Sequence, residues 1–240
     1  GLPVFWLILI FLLSVGIFGL PQIKQLIWTA EAYLTDGSNA VNGAGQLVGG
    51  SPYYTKSGTN DGPSALGLNS PMATVVDPTD HRLFVADSSN HRVVVYNLDA
   101  SNVLVDYTID NVLGQTNLIS NAQTTSATGM RYPNGLAYDD ANNRLFVSDL
   151  SANRVTVYDV TAISDGETAI NVLGQSNFSN SNSATTIAGL SYPVGLTYDS
   201  INSYLFVSDS NNNRVIVYDV TAITDGENAI NVLGQVDFTS

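Results

Sequence analysis

Three aspartates, Asp87, Asp149 and Asp209, each close a short apolar run, and each is followed five positions on by an arginine, Arg92, Arg154 and Arg214. An acid and a base at fixed spacing could move protons in a pocket. A pair repeated unchanged along a chain is better explained as something every repeat needs in order to fold. The Asp would then be bonded to hairpin N–H groups or paired with its Arg. The same reading applies to Asp139 and Asp199 and to the Gly-Gln dipeptides that end each repeat. The run Asp209 to Asn213 has oxygen ligands at alternate positions, as calcium loops do, but lacks their sharp-turn Gly and distal bidentate Glu. The matching runs Asp149–Asn153 and Asp87–His91 lose one or more of those oxygens. The expectation is therefore no resident cofactor, calcium being the one metal that the residue types suggest. His81 and His91 are the two histidines and there is no Cys. A zinc site needs three protein ligands, a serine hydrolase needs a Ser–His–acid set, and no Gly-x-Ser-x-Gly elbow is present. No catalytic set can be assembled, and both histidines read as turn residues.

The elements that must carry these residues are set by repetition. Tyr192–Phe238 lies over Tyr132–Phe178 with every landmark 60 positions apart and roughly seven positions in ten identical. A third copy lies upstream at an offset of 62, Pro71 matching Pro133 and Leu83–Asp87 matching Leu145–Asp149. Its two extra residues fall between Val95 and Val112, where Asn97–Asn111 replaces the segment that carries Asp-Gly in later copies. Part of a fourth copy, Asp36–Gln46, reads like Asp225–Gln235 alone.

Within a unit, short runs rich in Val, Ile, Leu, Phe and Tyr (Gly135–Tyr138, Leu145–Ser148, Val155–Tyr158 and Ile170–Leu173) alternate with Asp, Asn and Gly turns. That pattern predicts a four-stranded antiparallel meander. Inner strands apolar on both faces imply that each sheet is sandwiched between neighbours, and radially repeated four-stranded sheets make an all-β β-propeller. The order Pro-x-Gly-Leu-x-Tyr-Asp, Leu-Phe-Val-Ser-Asp, Asn-Arg-Val-x-Val-Tyr closely resembles the NHL repeat, over about Pro71–Gln235. The first copy departs from it at Ala73 and Val76. Similarity to NHL-repeat β-propellers of the bacterial, extracytoplasmic type implies six blades. Three complete blades (about 71–115, 133–175 and 193–235) plus a lone outer strand (36–46) are then expected to be a fragment of that ring. The rival is a dimer of half-propellers closing the ring in trans.

Leu2–Leu20 is uncharged and apolar, about 28 Å long as a helix, close to the ~30 Å hydrocarbon core. Residues 1–20 are expected to be a transmembrane anchor or a signal segment, with 21–35 a connector and 36–240 the propeller domain. Either form of leader places the propeller outside the cytoplasm, membrane-anchored or secreted. The net charge of −13, with only 8 Lys plus Arg, repels a phosphate backbone. Some NHL propellers bind RNA through a basic face, and no basic stripe exists here, so nucleic acid is not an expected partner.

A binding site should lie where the repeats differ. Mapping the departures onto the propeller face shared by the loops entering each first strand and those joining second to third strands selects six residues. They are Tyr53, Tyr54 and Lys56 in a long loop (Gln46–Pro71), with His91, Arg131 and Leu150. Arg131 stands where the other copies are aligned to Ser70 and Ser191, and His91 where they have Asn153 and Asn213. Exposed Tyr and Arg are common recognition anchors. The expected function is a non-enzymatic scaffold for a protein or glycan ligand. The alternatives are a metal-dependent propeller enzyme of the lyase or lactonase type and an extracytoplasmic sensor.

Overall fold

Runs of β-branched and aromatic residues broken by Asp/Asn turns fold here as antiparallel hairpins. The computed structural model describes residues 47–48, 51–52 and 63–239, within the unit Asn42–Ser240. The expected leader (1–20), connector (21–35) and lone strand (36–46) lie outside the described residues, as do Tyr53, Tyr54 and Lys56. A two-residue ladder, β1 (Leu47–Val48) with β2 (Ser51–Pro52), lies inside the stretch expected to be loop.

The first sheet has β3 (Pro71–Asp77), β4 (Arg82–Asp87), β5 (Arg92–Asn97) and β6 (Asn111–Leu113). The second has β7 (Pro133–Asp139), β8 (Arg144–Asp149), β9 (Arg154–Asp159) and β10 (Asn171–Leu173). The third has β11 (Pro193–Asp199), β12 (Tyr204–Asp209), β13 (Arg214–Asp219) and β14 (Asn231–Leu233). Each is a meander paired in chain order, and β3 packs on β7 as β7 packs on β11. Three four-stranded antiparallel sheets with their first strands side by side fit a β-propeller.

Burial on both faces follows from this stacking. Phe146 points toward the third sheet, in a core with Val207 and Tyr218, while Val147 points toward the first, in a core with Phe84 and Val93. The second-to-third-strand turns are single 3-10 turns, Ser88–Asn90, Leu150–Ala152 and Ser210–Asn212. Each ends in a left-handed residue, His91 (φ 54°), Asn153 (φ 51°) or Asn213 (φ 53°). Asn takes that conformation at low cost, which accounts for its place in two copies. The two extra residues of the first copy enlarge its β5–β6 loop. There Asp99 accepts the Ser101 and Val103 N–H groups at 2.8 and 3.0 Å.

Candidate functional site

Antiparallel order puts the loops entering each first strand and the second-to-third-strand turns at one end of every sheet. The repeated Asp–Arg pairs stand at that end, registered as Asp87↔Arg92, Asp149↔Arg154 and Asp209↔Arg214. Their nitrogen–oxygen separations are 2.7, 3.0 and 2.7 Å, and all six side chains are fully buried. One oxygen of each Asp accepts a backbone N–H from the incoming linker: Asn69 at 2.6 Å, Arg131 at 2.9 Å, Ser191 at 2.7 Å. Each Arg donates to linker carbonyls on both sides of its blade. Arg154 reaches Ser126 (3.1 Å) and Gly129 (2.9 Å) before its sheet and Phe178 (2.8 Å) after it. The pair is thus a pin joining two linkers, with its lone pairs and N–H groups consumed by protein.

The register also corrects an alignment. The linker N–H held by Asp87 belongs to Asn69, so Asn69, not Ser70, is the counterpart of Arg131 and Ser191. Ser70 aligns with Tyr132 and Tyr192, immediately before the strand-opening Pro.

At this end the first junction departs from the second. Asn153 accepts the Tyr192 N–H (2.8 Å) and donates to the Ser181 carbonyl (2.9 Å), stapling the second sheet to the linker that follows. His91 occupies the same position one blade earlier, and its imidazole stands edge-on to Tyr132, ring centres 4.6 Å apart at 82°. The Tyr132 N–H goes instead to Asp149 at 3.1 Å, and Nδ1 of His91 is buried without a hydrogen-bond partner. Next to Tyr132 comes Arg131. Among the described residues it is the one Arg or Lys without a carboxylate partner, the other five arginines being ion-paired. Leu150 is only 5% exposed and offers almost no surface to a ligand. Tyr132 and Tyr192, 38% and 44% exposed, were missed by sequence reasoning, although an aromatic just before the strand-opening Pro, against Ser70 in the first copy, was a readable signal.

In the calcium-like loop, Asp209 accepts from Ser191 N–H through one oxygen, and from Asn212 (2.8 Å) and Arg214 (2.7 Å) through the other. Its carboxylate therefore faces protein donors. Among the described residues, no three His, Asp or Glu side chains are grouped to hold a metal.

The opposite end carries a second acid–base pair, Asp77–Arg82 and Asp139–Arg144, each at 2.5 Å. Burial pushes the Asp77 carboxyl up, but the Asp80 backbone N–H and the Arg82 guanidinium outweigh it and hold the group below the usual carboxylate range. Burial is likewise outweighed at Asp139, by Arg144 and Asn142. In the third sheet Tyr204 replaces the Arg. His81 sits at this end, with Nδ1 2.8 Å from the Asn102 side-chain oxygen, so the two histidines are at opposite ends of one sheet.

The NHL repeat family model matches residues 68–96. None of the curated proteins is significantly similar in sequence. Solved structures that resemble the chain include a chain of a nidogen/laminin complex (17% identity, 72% of this chain and 50% of that one, TM-score 0.44). A chain of hydrazine synthase from Kuenenia stuttgartiensis also resembles it (15% identity, 78% and 40%, TM-score 0.46). So does a functionally unknown protein from Desulfotomaculum acetoxidans (16% identity, 63% and 38%, TM-score 0.43). The chain spans half or less of the length of each. The family match falls on the first sheet, and the second and third sheets repeat its buried Asp–Arg pairs, so all three sheets are similar to NHL repeats in a fold that fits a β-propeller.

Proposed function

We propose that the protein is a non-catalytic binding platform whose ligand, a protein or a glycan, meets the end of the sheets where Arg131, Tyr132 and Tyr192 stand. The observation that carries this reading is the division of labour among cations. Five of the six described arginines are locked in ion pairs that hold the sheets, while Arg131 alone has no carboxylate partner and adjoins an exposed aromatic. A planar guanidinium next to an exposed tyrosine suits a carboxylate, an amide or a sugar hydroxyl face. The repeated Asp–Arg pairs are absorbed by the fold and have no free group to offer a reaction. The platform belongs to a six-bladed ring, the number implied by the NHL resemblance, and residues 1–20 carry it outside the cytoplasm, tethered or secreted. Tyr53, Tyr54 and Lys56, outside the described residues, are further ligand contacts in this reading.

The test is ligand capture from extracellular extracts and glycan arrays with the parent and with Arg131→Ala/Tyr132→Ala. We expect the variant to lose at least about tenfold in affinity, roughly 1.4 kcal/mol, at unchanged melting temperature. Equal binding by both proteins would remove these residues from the site. Protease accessibility on intact cells tests the location separately.

A further inference from the structure

Where each sheet's first strand begins, two of its residues stand opposite one on the second strand. Met72-Ala73 faces Ala86, Asn134-Gly135 faces Ser148, and Val194-Gly195 faces Ser208. A bulge of this kind re-aims the side chain of its extra residue, and bulges gather beside binding sites. The three bulges lie on neighbouring strands, since β3 packs on β7 and β7 on β11. Ser148 fastens two of them together: its hydroxyl accepts the Gly135 N–H and donates to the Val194 carbonyl, both at 2.7 Å.

At the first position of the bulge the repeats differ. The first and third sheets have the apolar Met72 and Val194 there, and the second has Asn134, a type that strands disfavour. Other asparagines that are wholly or partly buried have structural partners. Asn90 and Asn212 donate to the aspartate of their own sheets (2.9 and 2.8 Å), and Asn153 staples two sheets. The half-buried Asn134 side chain bonds to no other described residue. Arg131 is bonded through its backbone alone, its N–H to Asp149 and its carbonyl to the Gln123 amide (3.5 Å). The fold therefore accounts for neither the amide nor the guanidinium.

The segment that carries both is held firmly. One oxygen of Asp149 accepts the N–H groups of Arg131 and Tyr132 (2.9 and 3.1 Å), and Ser148 holds Gly135. Pro133, between them, has its φ fixed by its own ring. The Tyr132 ring, 38% exposed, is met edge-on by His91. A guanidinium, an aromatic ring and an amide are thus presented within four consecutive residues, about 11 Å at full stretch. Little of this segment is left to be ordered when a ligand arrives.

We infer that Arg131, Tyr132 and Asn134 form a subsite for a carboxylate-bearing sugar, a hexuronate, in a glycan whose acidic sugars are separated by neutral ones. The inference rests on the platform reading and narrows its ligand. The guanidinium fork matches the two oxygens of a carboxylate. The amide, donor and acceptor at once, matches a ring hydroxyl, and the tyrosine offers an apolar face to the sugar's C–H groups. A peptide is the poorer occupant, because an extended chain binds by continuing a ladder and the bulge breaks the ladder at this point. A run of adjacent carboxylates is disfavoured too, by a net charge of −13 with one unpaired cation among the described residues to meet it.

The test measures, by calorimetry on the full natural polypeptide, binding of an oligosaccharide of alternating hexuronate and neutral sugars. The same oligosaccharide with its carboxyls reduced to alcohols is the control. The variants borrow from the third sheet, Asn134→Val after Val194 and Arg131→Ser after Ser191, so each side chain already fits a sheet of this fold. We expect the parent to bind the reduced form at least about tenfold more weakly, and each variant to lose at least about tenfold on the acidic form, at unmoved melting temperature. Arg131→Ser should bind the two forms alike. Equal binding of both forms by the parent, or an Asn134→Val protein that binds as the parent does, would overturn the subsite. Capture of a protein or peptide through Arg131 and Tyr132, with no acidic glycan bound, overturns it and leaves the platform standing. A parent that captures no ligand of any kind removes both.

Discussion

At the scale of single residues, the costliest group to remove is a buried charge whose partner stays behind. Asp149→Ala leaves the fully buried Arg154 without its carboxylate and two linker N–H groups without their acceptor. A loss of about 3–5 kcal/mol is expected, read from denaturant midpoints at constant m. A change under about 1 kcal/mol would mean that water replaces the pin. The acid pairs at the other end make a separate prediction. Asp77 and Asp139 are held below the ordinary 3.8, so they stabilise the fold above their unfolded values and lose that contribution as pH falls through the folded ones. Melting temperature should therefore be flat from neutrality to about pH 4 and drop below it. A drop centred between about pH 5 and 7 would point to a different group. The Asp–Arg spacing of five was legible because it recurs at each landmark. What each oxygen would accept was not, since Asn69, Arg131 and Ser191 come close only once the linkers fold back. Counting along unlike linkers likewise mistook Ser70 for Asn69, an error of one residue that only the ladder could expose.

At the scale of elements, the four-run pattern of each unit named all four strands of each sheet, and the observed ends fall within two residues of those runs in the second. The reason is physical: strand and turn signals alternate sharply, and no helical period competes with them. The inter-sheet staples were not legible, because Asn153 and His91 look like equivalent turn residues until their partners are known. Asn153→Ala should remove two inter-sheet hydrogen bonds, at a cost of about 1–3 kcal/mol. His91→Asn offers Tyr132 the acceptor that Tyr192 has, and a small rise in melting temperature is expected. If Asn153→Ala matches the parent in thermal scans, the staple has no energetic weight.

At the scale of the whole molecule, net charge and repetition decide most of what can be said. With a charge of −13, retardation of single-stranded RNA should be absent even at low salt, where a basic face would bind most tightly. Salt-sensitive RNA binding would show a cationic surface outside the described residues. Blade count and leader were inferred from resemblance and hydropathy, not from any contact, and these are the features farthest from direct structural view. The propeller arrangement itself was legible, because strands apolar on both faces have no stable home except between two neighbouring sheets.

The near-identity of the second and third units carries a cost during folding. β9 and β13 read Arg-Val-Thr-Val-Tyr-Asp and Arg-Val-Ile-Val-Tyr-Asp, and β10 and β14 are the same three residues. Each edge strand therefore has two almost equivalent addresses, in its own chain or in another molecule's. Refolding at rising concentration should trap strand-exchanged oligomers, and the differences that remain between the two units, among them Thr156 against Ile216 and Leu150 against Ser210, become the marks by which a nascent chain sorts its hairpins.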